Sequence, residues 1–144
     1  MTETADAQKF FSEGYNCCQS MLLAFAPRFG IEPQKALRLG RAFGGGMGTG
    51  SFCGTVTGSM LILGFKPSDD DEDEAINKAH QLVERFIEEF KTRNRCIKCI
   101  DLLDGVDVNT SEGLEKAHSL NLFEQVCHGL LKDASEILEK LLSE

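Results

Sequence analysis

The chain has no apolar segment long enough to cross a lipid bilayer. Its longest apolar run, residues 60–65, is interrupted by Gly64 and is far shorter than the roughly 20 residues that a membrane-spanning helix needs. The first ten residues also lack the basic and hydrophobic regions of a secretory signal. We therefore expect a cytoplasmic protein that has no membrane partner.

Basic residues are too few to balance the acidic ones. The 144 residues include 15 Lys and Arg against 23 Asp and Glu, which gives a formal net charge of -8. A polyanion such as a phosphate backbone is repelled by such a protein. The composition therefore excludes nucleic acid as the expected partner.

No segment alternates apolar and polar residues as a half-buried strand does, whereas helical spacing recurs along the chain. The longest amphipathic segment spans residues 69–93 and has its apolar positions at Ile76, Ala79, Val83, Phe86, Ile87 and Phe90. We predict an all-α fold, a compact helical bundle of about five to seven helices with a Gly-rich loop. Residues 1–144 are expected to form a single domain.

Two adjacent cysteines follow a helix-start signal. Asn16 and Gln19 have the spacing of a capping box, which places Cys17 and Cys18 in the first helical turn, where the helix dipole favours an anion. Adjacent residues on a helix point about 100° apart. Only one of the two thiols is therefore expected to face a shared site.

The Gly-rich stretch at residues 44–50 does not match a nucleotide-binding motif. No G-x-G-x-x-G pattern fits within it, no Gly-Lys-Ser or Gly-Lys-Thr follows it, and no strand is predicted before it. Nucleotide binding is therefore disfavoured.

Cys53 directly follows this stretch. Ser51 is a good N-cap residue, so we predict a helix at residues 52–63 with Cys53 in its first turn, where free backbone N–H groups stabilise a thiolate. Gly54 and Gly58 lie four residues apart and would let a backbone or a cofactor approach closely. We interpret Cys53 as one residue of a thiol site whose other cysteines come from other helices.

The remaining cysteines leave several chemistries open. Cys96 and Cys99 form a C-x-x-C motif, which occurs in zinc knuckles, redox motifs and iron–sulfur sites. The thioredoxin form requires a βαβ pattern that the chain lacks, and haem attachment requires His where Ile100 stands. Cys127 lies on or beside the apolar stripe of the last helix, and the adjacent His128 is a further candidate ligand.

Four stretches of sequence together resemble one family of redox-active proteins, named C_GCAxxG_C_C after its cysteine signature. The matching stretches are residues 14–17, 44–58 and 99–105, and Cys127. The resemblance implies that Cys17, Cys53, Cys99 and Cys127 are the site cysteines, with Cys18 and Cys96 as additions. Thr55 stands where the signature usually has alanine. Related domains are similar to the non-haem part of split-Soret cytochromes, which favours an iron–sulfur centre.

The first functional hypothesis is electron transfer through an iron–sulfur cluster, of the 2Fe-2S type, or through reversible disulfides of the same cysteines. Gly44, Gly45, Gly46, Gly48 and Gly54 would line this site and bring backbone N–H groups to the sulfur atoms. The alternatives are a structural zinc–thiolate site, a thiol–disulfide redox sensor that uses Cys96 and Cys99 with Cys17 or Cys18, and cysteines that are merely buried. The first hypothesis implies a redox partner protein, and the sequence leaves a homodimer open.

Overall fold

The computed structural model describes residues 2–68 and 70–144, and these residues form eight α-helices and no β-strand. The helices are α1 (Glu3–Ser12), α2 (Cys17–Phe25), α3 (Pro33–Gly40), α4 (Gly54–Leu63), α5 (Glu72–Asn94), α6 (Cys99–Leu102), α7 (Ser111–Ser119) and α8 (His128–Leu142). The all-helical prediction is confirmed. The count exceeds the predicted five to seven, because the chain also forms short helices such as the single turn α6.

Helix α2 is at the centre of the bundle and packs against α1, α3 and α4. Met21, Leu22 and Phe25 of α2 are buried, and a helix that is apolar on all sides belongs in a core. Helices α5 and α8 close the bundle with Phe86, Phe90, Leu131, Ile137 and Leu138, which are all fully buried. The start of α2, with its two cysteines, is therefore held rigidly by its neighbours.

Helices α2 and α4 approach each other as closely as their backbones allow. A Cβ atom added to Gly54 would lie 2.7 Å from the backbone nitrogen of Cys18, and one added to Gly58 would lie 2.9 Å from the Cβ of Met21. The predicted close approach along these glycines is confirmed, and the element that approaches is the backbone of α2. The two helix starts consequently lie side by side.

The predicted capping box at the start of α2 is present. The Asn16 side chain accepts a hydrogen bond from the Gln19 backbone N–H, and the Gln19 side chain accepts one from the Asn16 N–H. The Asn16 amide also donates to the Gly40 carbonyl at 3.2 Å, and the Gln19 amide donates to the Leu37 carbonyl at 3.0 Å. The capping residues therefore also hold α3 against α2.

Two predicted helix starts are corrected by the structure. Helix α4 begins at Gly54 with Cys53 at its N-cap, so Ser51 is not the cap and Cys53 is not inside the first turn. Helix α5 has Asp71 as its N-cap, whereas we predicted a start at Asp69, which lies outside the described residues. Helix α7 has Thr110 as its N-cap, because its hydroxyl accepts a hydrogen bond from the Gly113 N–H.

None of the helices found in residues 2–68 and 70–144 combines the length and the hydropathy that a transmembrane segment needs.

Candidate functional site

One thiol neighbours two others that come from separate parts of the chain. The thiol of Cys17 lies next to the thiols of Cys53 and Cys127, which act on its ionisation. Cys17 is the first residue of α2, Cys53 is the N-cap of α4, and Cys127 ends a π-type turn (Phe123–Cys127) immediately before α8. Cys53 and Cys127 are buried and Cys17 is half-buried. We refer to Cys17, Cys53 and Cys127 as the cysteine cluster.

The close packing of α2 and α4 brings Cys17 and Cys53 together. A Cβ atom at Gly54 would lie 2.9 Å from the Cβ of Cys17, so any larger residue at position 54 would push the start of α2 away from Cys53. Cys18, the next residue, is fully buried and lies beside Thr57 of α4. As predicted from the helical geometry, only one of the two adjacent thiols joins the cluster.

Hydrogen bonds stabilise the ionised form of Cys53. The pKa of Cys53 is lowered to about 7, first by the neighbouring Cys17 thiol against the opposing effect of burial, and then by the Thr55 hydroxyl and the N–H groups of Thr55 and Val56. The Thr55 Oγ1 atom lies 3.1 Å from the Cys53 Sγ atom. Cys53 is thus the thiol of the cluster that ionises near neutral pH.

The pKa values of three other thiols, those of Cys17, Cys18 and Cys99, are raised. Hydrogen bonding with Cys127 and Cys53 raises the pKa of Cys17 well above its ordinary value. Burial raises the pKa of Cys18 to about 11. For Cys99, burial and then the charges of Cys53, Cys127 and Asp107 raise the pKa to about 12. The site therefore holds one thiolate beside several thiols at neutral pH.

Cys99 is held near the cluster by a short antiparallel pairing of two distant segments. The Cys53 N–H donates to the Ile97 carbonyl at 2.7 Å, and the Cys99 N–H donates to the Ser51 carbonyl at 2.6 Å. This pairing keeps residues 51–53 extended, which is why α4 starts later than predicted. The charges of Cys53 and Cys127 act on the Cys99 thiol, so Cys99 is a neighbour of the cysteine cluster.

The predicted Gly-rich loop is a wide turn in which Gly45, Gly46, Met47, Gly48 and Gly50 have positive φ angles. At Gly46 the turn leaves no room for a side chain, because an added Cβ would lie 2.6 Å from the Ser51 nitrogen and 2.8 Å from the Cys99 Cβ.

The five glycines predicted to line the site occupy different positions. Gly46 packs against Cys99 and Gly54 against Cys17, whereas an added Cβ would meet Asn16 at Gly44 and Asn109 at Gly45 and would be in open space at Gly48. Only Gly46 and Gly54 therefore contact predicted site cysteines.

Cys96 and His128 are not brought to the cluster. The Cys96 thiol contacts the Asn94 carbonyl at 3.8 Å, and all six cysteines of the described residues are free thiols. The His128 Nε2 atom lies 3.1 Å from the Ser12 hydroxyl, and the His128 ring packs against Phe11. His128 therefore faces α1 rather than the thiols.

Three polar residues near the site were given no role from the sequence. Asn109 donates to the Gly45 carbonyl at 2.8 Å and to Asp107 at 2.9 Å, which ties the Gly-rich turn to the segment after Cys99. Asp107 acts on Cys99 through its charge. Only Thr55 carried a sequence signal, since it departs from the usual alanine of the signature.

The donor chemistry of the site fits an iron–sulfur cluster. Cys17, Cys53, Cys127 and Cys99 come from separate elements, one of them ionises near neutral pH, and thiolates are the ligands of such clusters. Zinc accepts the same donors. Within the described residues, no three His, Cys, Asp or Glu side chains form a group spaced to hold one metal ion.

A helical domain in which several thiols converge and one ionises near neutral pH defines the class of redox-active cysteine proteins. The family model of C_GCAxxG_C_C, described as "Putative redox-active protein", matches residues 15–141. The chain therefore belongs to this family. Comparisons with curated proteins and with solved structures gave no match.

We expect a Thr55→Val variant to raise the pKa of Cys53 from about 7 toward the ordinary value of 9.0, because the Thr55 hydroxyl donates to the thiolate. The measurement is the ultraviolet absorbance of the thiolate during a pH titration of the reduced, metal-free protein. Thr92→Val, on the exposed face of α5, is the matched control and should leave the titration unchanged. An identical titration for Thr55→Val would contradict the assigned hydrogen bond.

The same ionisation links stability to pH. The folded-state pKa of Cys53 is lower than its ordinary value, so ionised Cys53 stabilises the fold. This contribution is fully present above about pH 9 and is lost as the pH falls through about 7. The raised pKa values of Cys17, Cys18 and Cys99 act in the opposite direction above pH 9. The free energy of unfolding should therefore rise between pH 7 and 9, and rise less in Thr55→Val.

Proposed function

We propose that this protein transfers electrons through an iron–sulfur cluster bound by Cys17, Cys53, Cys99 and Cys127, and that the cluster is of the 2Fe-2S type. The observation that supports this proposal best is the placement of the Cys17 thiol next to those of Cys53 and Cys127, which come from separate elements, with Cys99 near enough to be affected by their charges. Exchange of a single disulfide needs only two thiols, whereas four cysteines are the usual ligand set of an iron–sulfur cluster.

The residues around Cys53 prepare it for ligation. Its thiolate is stabilised by the Cys17 thiol, the Thr55 hydroxyl and the N–H groups at the start of α4, so little free energy is needed to ionise this ligand near neutral pH. Hydrogen bonds to ligand sulfur atoms also raise a reduction potential. An iron–sulfur cluster supplies one-electron transfer when it is bound.

Burial differs among the four proposed ligands. Cys53 and Cys127 are buried, whereas Cys17 and Cys99 are half-buried. The core therefore excludes water from the side of the site formed by Cys53 and Cys127. The side formed by Cys17 and Cys99 is nearer to solvent. Electrons would enter and leave on that side.

The test is anaerobic purification followed by a visible spectrum and by measurement of iron, acid-labile sulfide and zinc per chain. Iron and sulfide in equal amounts, with a broad visible absorbance that bleaches on reduction, are expected. Zinc alone would overturn the proposal in favour of a structural thiolate site. A colourless protein that also fails to take up iron and sulfide anaerobically would overturn it as well.

A reversible disulfide between Cys17 and Cys53 is the second candidate, because these two thiols are in contact and Cys53 ionises near neutral pH. Forming the S–S bond releases two electrons and two protons, which an acceptor disulfide takes up as it is reduced to two thiols. Incubation of the metal-free protein with oxidised glutathione, followed by peptide mapping, would detect this bond. A pairing that involves Cys96 instead would contradict this candidate.

A further inference from the structure

An apolar cleft opens on the surface between α3 and the end of α4. It is lined by Leu22, Ala26, Ile31, Leu39, Leu61 and Phe65, among other residues. Leu39 is 48% exposed and Phe65 is 44% exposed. Phe65 is fixed by stacking on Phe29, with ring centroids 5.0 Å apart. Adjacent exposed apolar side chains in a fixed arrangement are typical of protein interaction sites.

The helix beside this cleft is basic, in contrast to the rest of the chain. Lys35 and Arg38 line a second part of the cleft together with Ile31 and Leu39. Arg41 follows at the C-terminal end of α3, and α3 itself contains no acidic residue. The protein as a whole has a net charge of -8, so this helix is a positive surface on a negative molecule.

These basic side chains form no ion pairs with carboxylates of the described residues. Arg28, Arg85 and Arg93 all form ion pairs with carboxylates of other helices or of the chain end. Lys35, Arg38 and Arg41, by contrast, make no ion pair with any residue of the described ranges 2–68 and 70–144. Their charges are therefore available to an external acidic group.

The cleft also connects to the cysteine cluster through one helix contact. The Asn16 amide, directly before Cys17, donates to the Gly40 carbonyl at the end of α3. A Cβ atom at Gly40 would lie 3.0 Å from the backbone nitrogen of Gln19. A protein seated on α3 therefore contacts the helix that packs directly against the first turn of α2, next to the half-buried Cys17.

We propose that the cleft between α3 and α4 is the docking surface for an acidic electron-transfer protein, with Leu39 and Phe65 as apolar contacts and Lys35 and Arg38 as its cationic contacts. This inference depends on the proposed function for the class of the partner. The cationic side chains of α3 attract an acidic partner locally against the net negative charge, and this attraction also orients the encounter.

A second copy of the chain fits this surface less well. In a two-fold symmetric dimer the same patch lies on both sides of the interface, so Lys35 and Arg38 of both copies would add four like charges to it. An anionic membrane offers the same charge as an acidic protein, and vesicle binding is therefore a competing outcome of the test. The observations therefore favour a protein that carries an acidic rim around an apolar centre.

The test measures binding of two acidic probe proteins, a plant-type ferredoxin and a flavodoxin, to the anaerobically purified chain by calorimetry at low and high salt. Lys35→Glu with Arg38→Glu should weaken binding at least tenfold, and Leu39→Ser should weaken it with little change in its salt dependence. The matched control is Lys91→Glu with Lys116→Glu, which makes the same change in net charge at two exposed positions of α5 and α7 and should have a much smaller effect.

Three outcomes would overturn the docking surface: absence of binding to both probes, equal weakening by the α3 pair and the control pair, and self-association that the Leu39→Ser variant abolishes. Binding to phosphatidylglycerol vesicles that depends on Lys35 and Arg38, without binding to either protein probe, would assign the surface to a membrane instead. The result is separable from the proposed function. If the protein contains no cluster but binds the probes through α3, only the proposed cluster is refuted. If the protein contains the cluster but Lys35→Glu with Arg38→Glu does not weaken probe binding, only the docking surface is refuted.

Discussion

Replacement of Cys53 by serine is expected to reduce the bound iron and sulfide to background levels. The substitution removes the thiol whose pKa is lowered to about 7 and which hydrogen-bonds with Cys17. A serine hydroxyl does not ionise near neutral pH and is a poor ligand for the soft metals that thiolates select. The measurement is iron and sulfide per chain, together with the visible spectrum, after anaerobic reconstitution.

Cys96→Ser is the matched control, because Cys96 is a half-buried free thiol that contacts only the Asn94 carbonyl in its hydrogen bonding. This variant should keep its full iron and sulfide content. Far-ultraviolet circular dichroism of Cys53→Ser should show unchanged helix content, which separates loss of a ligand from loss of the fold. If Cys53→Ser bound as much iron as the natural chain, the assignment of Cys53 as a ligand would be wrong.

Gly58→Ala is expected to lower the free energy of unfolding by about 1–3 kcal/mol, which is typical of overpacking a close contact. The new Cβ would lie 2.9 Å from the Met21 Cβ and 3.2 Å from the Cys18 carbonyl oxygen. Both neighbours belong to the buried helix α2, which cannot move without disturbing the contacts of its other faces. Urea unfolding followed by circular dichroism measures the change.

Gly129→Ala makes the same substitution in α8, where an added Cβ would meet nothing within 4 Å. Alanine is the better helix former by about 0.5–1 kcal/mol, so this variant should be as stable as the natural chain or more stable. The free energy of unfolding is therefore expected to fall in Gly58→Ala and not to fall in Gly129→Ala, because only position 58 lacks space for a Cβ atom. Equal effects at the two positions would show that the α2–α4 contact does not limit stability.

Local signals in the sequence were sufficient to predict those features of the structure that depend on neighbouring residues. Asn16 and Gln19 cap α2 because both partners lie within one helical turn. Pro33 stands at the first position of α3, where its missing N–H is not needed. The close approach of α2 and α4 could be predicted from Gly54 and Gly58, although the sequence could not tell which element approaches them.

Predictions failed where a distant segment changed the local conformation. Ser51 is a good N-cap residue by itself, but its carbonyl accepts a hydrogen bond from Cys99, and the Cys53 N–H donates to Ile97. Residues 51–53 are thereby kept extended, and the helix starts at Gly54. The position of Asn109 across the Gly-rich turn has the same origin, because no pattern within one sequence pairs residues so far apart.

The sequence by itself determined the helical class, the family and the set of cysteines from which a site could be built, because helical periodicity, capping and motif spacing are properties of short segments. Only the tertiary structure decided that the Cys17 thiol lies beside those of Cys53 and Cys127, that Cys99 is near enough to be affected by their charges, that Cys18 lies beside Thr57, and that Cys96 contacts Asn94. The physical reason is that the pKa and the contacts of a thiol depend on groups brought near it by the packing of whole helices, which the order of residues along the chain does not show.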